Sequence, residues 1–124
     1  MLEPTSSARI VLTTTANLDE ANHLGRTLVE ERLAACATLV PAVESIYSWK
    51  GKLETSSETM LLLKTGSEQL AALEARVLQL HSYETPEFLV LPVEAGSHAY
   101  LAWMLIGLNA PNPPDDPADK PDRK

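Results

Sequence analysis

Apolar residues change their spacing several times along the chain, and each change predicts an element. Arg9 to Thr15 (RIVLTTT) is rich in β-branched residues and predicts a first strand. Leu18, Ala21, Leu24 and Leu28 then recur at intervals of three and four, which predicts a helix running to about Leu33. Asn17 stands where a helix cap belongs, and Asp19 and Glu20 fill the first turn, where the helix dipole favours negative charge. Gly25 lies beside the apolar stripe and permits close packing on a sheet. Cys36 to Trp49 (CATLVPAVESIYSW) predicts a long second strand, in which Pro41 marks a bulge or an edge because it cannot donate to a ladder. Lys50-Gly51 predicts a two-residue hairpin turn, after which Lys52 to Thr65 returns as a third strand. Ser67 is the expected cap of a second helix, with Leu70, Leu73, Val77 and Leu80 as its stripe. Pro86 to Glu94 (PEFLVLPVE) predicts a fourth strand. Ser97 opens a short third helix, apolar on nearly every side from Tyr100 to Ile106.

The order β-α-β-β-α-β predicts an α+β protein: a ferredoxin-like sandwich with two helices on one face of a four-stranded antiparallel sheet, and an extra C-terminal helix. The domain is expected over residues 9–106, after a flexible leader at 1–8. Residues 107–124, rich in Pro and Asp and without apolar periodicity, are expected to form a disordered tail. One length does not fit a monomer. Fourteen extended residues from Cys36 to Trp49 span about 46 Å, whereas a compact domain of about 100 residues is roughly 34 Å across. The long hairpin must bend or project, and a projecting tip carrying Ile46, Tyr47 and Trp49 exposes apolar surface and unpaired backbone groups. Pairing with further copies of the chain removes that exposure, so an obligate homo-oligomer is expected.

Composition narrows the partners. The 124 residues fit one domain, and a hydrophobic content of 44% is that of a folded chain. A formal charge of −7 disfavours nucleic acid and anionic membranes, both of which need a concentrated basic face. Cys36 is the only cysteine, so the chain has no internal disulfide and no Cys-x-x-Cys metal motif. MLEPTSSA lacks the basic start and apolar run of a secretory signal, and Ala99 to Leu108 is shorter than the ~20 residues that cross a bilayer. A cytoplasmic location is expected. Stacking aromatics are missing from TMLLLKT, and the turn after the first strand carries neither a metal-binding cysteine pair nor a glycine-rich phosphate loop. No Ser-His-Asp or paired-carboxylate spacing demands catalysis, so no enzymatic activity is expected.

Leu28 to Glu54 (LVEERLAACATLVPAVESIYSWKGKLE), Leu61 to Thr65 (LLLKT), Leu80 to Gly96 (LHSYETPEFLVLPVEAG) and Tyr100 to Met104 (YLAWM) together resemble the CutA family of divalent-cation tolerance proteins. The resemblance implies a ferredoxin-like subunit in a tight homotrimer, held partly by sheet pairing between subunits. It also implies a role in divalent metal tolerance, with copper binding proposed for some members and no settled enzymatic activity. No tightly bound cofactor is implied; Cu(II) or another divalent ion, held weakly between subunits, is the candidate ligand. Some members offer more cysteines than the single Cys36 of this chain.

The candidate chemistry gathers at LHSYETPEFLVLP. His81 with Glu84, Glu87 and Tyr83 can hold a borderline cation such as Cu(II) or Zn(II). The same residues also make a polar elbow between helix and strand. Cys36 offers a thiolate for a soft ion, yet the topology puts it at the opposite end of the sheet from His81, about 17–20 Å away. Only contact between chains would join the two. Lys64 is expected as a pocket or interface charge, and Tyr47, Trp49 and Trp103 as pocket or interface residues; His23 and His98 read as ordinary surface residues. An alternative function is a trimeric small-molecule sensor of PII-like architecture with an inter-subunit cleft.

Overall fold

The computed structural model describes residues 1–109 and runs β1 (Leu2–Pro4), β2 (Ala8–Thr15), α1 (Leu18–Glu30), β3 (Cys36–Trp49), β4 (Lys52–Gly66), α2 (Leu70–Leu80), β5 (Leu89–Pro92), β6 (Ala95–Ser97) and α3 (His98–Asn109). The chain is mixed α+β. Its main sheet has the order β3-β4-β2-β5 with every neighbour antiparallel, and β1 pairs with β6 in a two-stranded sheet. α1 and α2 cover one face of the main sheet. Val11, Leu61 and Leu63 from the strands meet Leu24, Leu28, Leu73 and Val77 from the helices, all fully buried. Gly25 allows this approach, because a Cβ there would lie 3.1 Å from the Cβ of Ala37.

Local signals account for most boundaries. The side chain of Asn17 accepts a hydrogen bond from the Glu20 N–H at 2.8 Å, as a cap should. The turn at Lys50-Gly51 has positive φ at both residues, matching the right-handed twist of the strands it joins. Pro41 lies in a register shift between Val40 and Val43, beside Ala42 at φ 59°.

Five expectations need correction. α1 stops at Glu30 rather than near Leu33, because Arg32 turns left-handed at φ 59° and the N–H groups of Arg32 and Leu33 bond back to Val29 and Leu28. Ser67 caps nothing. It opens a 3-10 turn (Ser67–Gln69), its N–H donates to Ser7, and α2 begins at Leu70 without a side-chain cap. The strand expected over residues 86–94 is reduced to Leu89–Pro92, since β2 offers it partners only from Arg9 to Leu12. The leader holds a strand: Leu2, Glu3 and Pro4 pair with Ser97, Gly96 and Ala95, a partnership 91 to 95 residues distant that no local pattern announces. α3 extends through Asn109, past the Ile106 limit, and the tail from 110 to 124 lies outside the described residues.

Two features are left partly or wholly uncovered. By register, Ile10, Leu12, Met60, Leu62, Leu89 and Leu91 share the sheet face opposite α1 and α2. An antiparallel sheet that shows this face to water normally carries polar residues there. The second feature is the hairpin. β2 supports β4 only from Thr59 to Gly66, so the seven rungs from Val43↔Glu58 to Trp49↔Lys52 stand free of the sheet. That arm is about 23 Å long and exposes Ile46, Trp49 and Leu53.

Candidate functional site

α2 ends at Leu80, and His81 carries the chain away in an extended conformation while its N–H still bonds to Val77 at 2.9 Å. The His81 side chain is fully buried. Its Nδ1 accepts the Tyr83 N–H at 3.0 Å, which leaves Nε2 to carry the proton and donate to the Thr14 carbonyl at 2.7 Å. Both ring nitrogens are therefore committed, and neither presents a lone pair to an ion.

The carboxylates beside this histidine come from elsewhere in the sequence. Glu20 of α1 accepts the Ser82 N–H at 2.8 Å and the Ser82 hydroxyl at 2.9 Å. Partial burial raises the Glu20 pKa, but the two Ser82 bonds and a backbone bond from Ala16 outweigh it and leave the carboxyl more acidic than usual. Glu58 of β4, itself buried, accepts the Tyr83 hydroxyl at 2.8 Å, and the Tyr83 and His81 rings lie 4.8 Å apart. Burial, then the bond and charge of Glu58, push the Tyr83 hydroxyl up to about 12. Folded chain thus keeps its proton between the ordinary 10.0 and about 12, where unfolded chain has lost it. That contribution to stability is whole below pH 10 and is lost as the pH climbs towards 12. A phenolate absorbance titration is expected to show a late-ionising tyrosine that is absent from Tyr83→Phe; loss of an ordinary, early-ionising tyrosine in that variant would contradict this environment.

The remaining predicted residues scatter. Glu84 and Glu87 point to solvent from the same elbow. Cys36 sits on the rung Cys36↔Lys64, which continues to Ile10, four residues of strand before Thr14 and thus about 13 Å from the His81 end. The two do not meet within one chain. Lys64 Nζ donates to Thr38 Oγ1 at 2.7 Å and stands 3.8 Å from Cys36 Sγ, so an ammonium already occupies the space before the thiol. Among the described residues no three His, Cys, Asp or Glu side chains gather so as to hold a metal ion. Tyr47 hydrogen-bonds Ser56 at 2.7 Å within the arm, with Trp49 exposed near its tip. Trp103 of α3 lines a groove of about 580 Å³ with Arg26 and Val29 of α1 and Ala37 and Leu39 of β3. The sequence reading missed Glu20 and Glu58 as elbow partners: Glu20 has its own explanation as a helix-start acid, and Glu58 carries no local signal at all. Among the described residues no helix is long and apolar enough to cross a membrane.

Comparison with known proteins places these features in context. The family profile described as CutA1 divalent ion tolerance protein matches residues 9–105. The divalent-cation tolerance protein CutA of Pectobacterium atrosepticum is 44% identical over 105 residues, covering 85% of this chain and 96% of that protein. The human protein CutA is 43% identical over 98 residues, 79% of this chain but only 55% of its own length. Among solved structures, CutA from Synechococcus elongatus superposes with a TM-score of 0.85 at 38% identity, covering 88% of this chain and 96% of that one. The Thermus thermophilus divalent cation tolerance protein gives 0.79 at 39% identity, covering 81% and 97%.

Proposed function

The chain belongs to the CutA1 divalent ion tolerance protein family, and from that premise we propose that it is a non-enzymatic homotrimer serving divalent metal tolerance, with copper or a similar ion bound weakly between subunits. The names of its relatives describe tolerance to cations rather than a reaction. One observation carries the assembly: a 14-residue strand outruns its support and leaves Ile46, Trp49 and Leu53 of the hairpin exposed, beside a sheet face on which Leu89 and Leu91 are exposed as well. The four-stranded sheet with its two covering helices reads as the ferredoxin-like sandwich that such trimers use. Because one chain gathers no metal cluster among its described residues, ligands have to be pooled from neighbouring copies. Glu84 and Glu87 are the exposed donors of the elbow, whereas His81 and Cys36 would first have to shed Thr14, Tyr83 and Lys64. The single unpaired cysteine favours a reducing compartment, and we place the protein in the cytoplasm on that ground.

Titration calorimetry with Cu(II) and Zn(II) tests the metal account. The double variant Glu84→Gln/Glu87→Gln is expected to bind about tenfold more weakly, and Cys36→Ser to bind as the parent does. Parent-like affinity in the double variant would remove the elbow from the account.

A small-molecule sensor is the second reading, and the groove beside Trp103 favours it. One solved relative, CutA from Synechococcus elongatus, is described as complexed with a Bis-Tris molecule. The tight Lys50-Gly51 turn, by contrast, offers none of the long mobile loop that such sensors use.

A further inference from the structure

The free-standing arm is anchored at an unusual place. At residue 58 β4 has just passed the end of its ladder with β2, whose last rung is Thr15↔Thr59. On the other strand, the register shift at Pro41-Ala42 breaks the regular pairing immediately before Val43↔Glu58. A two-stranded ribbon leaving a sheet through a bulge has little to fix its angle, since bulges bend and twist the strand that carries them. Among the described residues, one side-chain hydrogen bond ties the arm to the body, and it lies at this rung: the Tyr83 hydroxyl to Glu58. Tyr83 is itself held by His81 through its N–H and ring contact, and His81 is held by the Thr14 carbonyl. A continuous line of bonds thus runs from the end of β2 to the root of the arm.

We propose that Tyr83 is a positioning residue for assembly: bonded to Glu58, it sets the angle at which the hairpin leaves the sheet and so presents Ile46, Trp49 and Leu53 to a second copy of the chain. The inference rests on the homo-oligomer argued above. Leverage explains why one bond at the root matters. A change of about 10° there moves the tip of a ~23 Å arm by about 4 Å, several times the gap of about 0.5–1 Å that already forfeits a quarter to a half of a packing contact. The elbow that reads as a ligand cluster is on this view a bracket. Its histidine is buried and its tyrosine half-buried for the sake of the arm, and its outward-facing Glu84 and Glu87 take no part in the line of bonds.

Sedimentation equilibrium over a dilution series, on the full chain, tests the proposal with four variants. Tyr83→Phe and Glu58→Leu are each expected to raise the dissociation constant of the assembly about tenfold or more, and the pair together to go no further than either alone. Glu58→Gln, whose amide oxygen still accepts from the phenol, is expected to stay within about threefold of the parent. Amide exchange gives a readout that general destabilisation would not reproduce: Tyr83→Phe should speed exchange in residues 43–58 and leave residues 61–65 unchanged. Parent-like dissociation in Tyr83→Phe, or fully additive losses in the double variant, would overturn the bracket while leaving the oligomer intact. A parent that is monomeric at every concentration would overturn the oligomer itself, and unchanged exchange in residues 43–58 would then end the bracket as well.

Discussion

Leu62→Glu is expected to convert the assembly into folded monomers. Leu62 lies on the sheet face away from α1 and α2, in register with Leu12 and only partly buried in a single chain. An isolated subunit therefore tolerates a carboxylate there, because water still reaches it. In an interface the same carboxylate would be stripped of water, and the Lys64 ammonium on that face is already bonded to Thr38, so burial still typically costs about 3–5 kcal/mol. That corresponds to a rise in dissociation constant of at least ~100-fold for each site buried. Sedimentation velocity at micromolar concentration should show a single small species with the circular dichroism of the parent. A variant sedimenting with the parent's mass would mean that this face is not what joins the copies.

The neighbouring leucine should behave in the opposite way. Leu63 points under the helices and is fully buried among Val11, Leu24 and Val77. Leu63→Ala removes three methylene-sized groups from a closed core and is expected to destabilise the fold by about 2–5 kcal/mol. For an oligomer the measured value depends on protein concentration, so urea unfolding is best compared in the Leu62→Glu background, where association does not contribute. A loss below about 1 kcal/mol there would show that the helices do not close over this position. Taken together the two substitutions separate folding from assembly with adjacent residues of the same type.

Much of the fold was legible because its causes are local. The Asn17 cap, the Lys50-Gly51 turn and the Pro41 bulge each act within a few residues, and all three stand where the sequence indicates. Boundaries failed where the cause lay elsewhere. β1 exists only because Ala95–Ser97 offers an edge, and β5 is short because beyond Leu12 the Thr14 carbonyl of β2 is taken by His81 instead. The candidate site divides in the same manner. LHSYETPE correctly marked the joint between helix and strand, but the groups that engage His81 and Tyr83 come from Thr14 and Glu58, respectively 67 and 25 residues away. Glu84 and Glu87, adjacent in sequence and apt in chemistry, face outward.

By itself the sequence determined the order of the four main strands and three helices, the length of the hairpin and the kinship with cation-tolerance proteins, since periodicity, turn residues and backbone reach act over short stretches. Tertiary structure alone decided which of Leu61, Leu62 and Leu63 face the core and which polar groups satisfy the buried histidine. The reason is that a pleated strand turns each successive residue to the opposite side, while burial and hydrogen-bond partners depend on whatever distant chain arrives there.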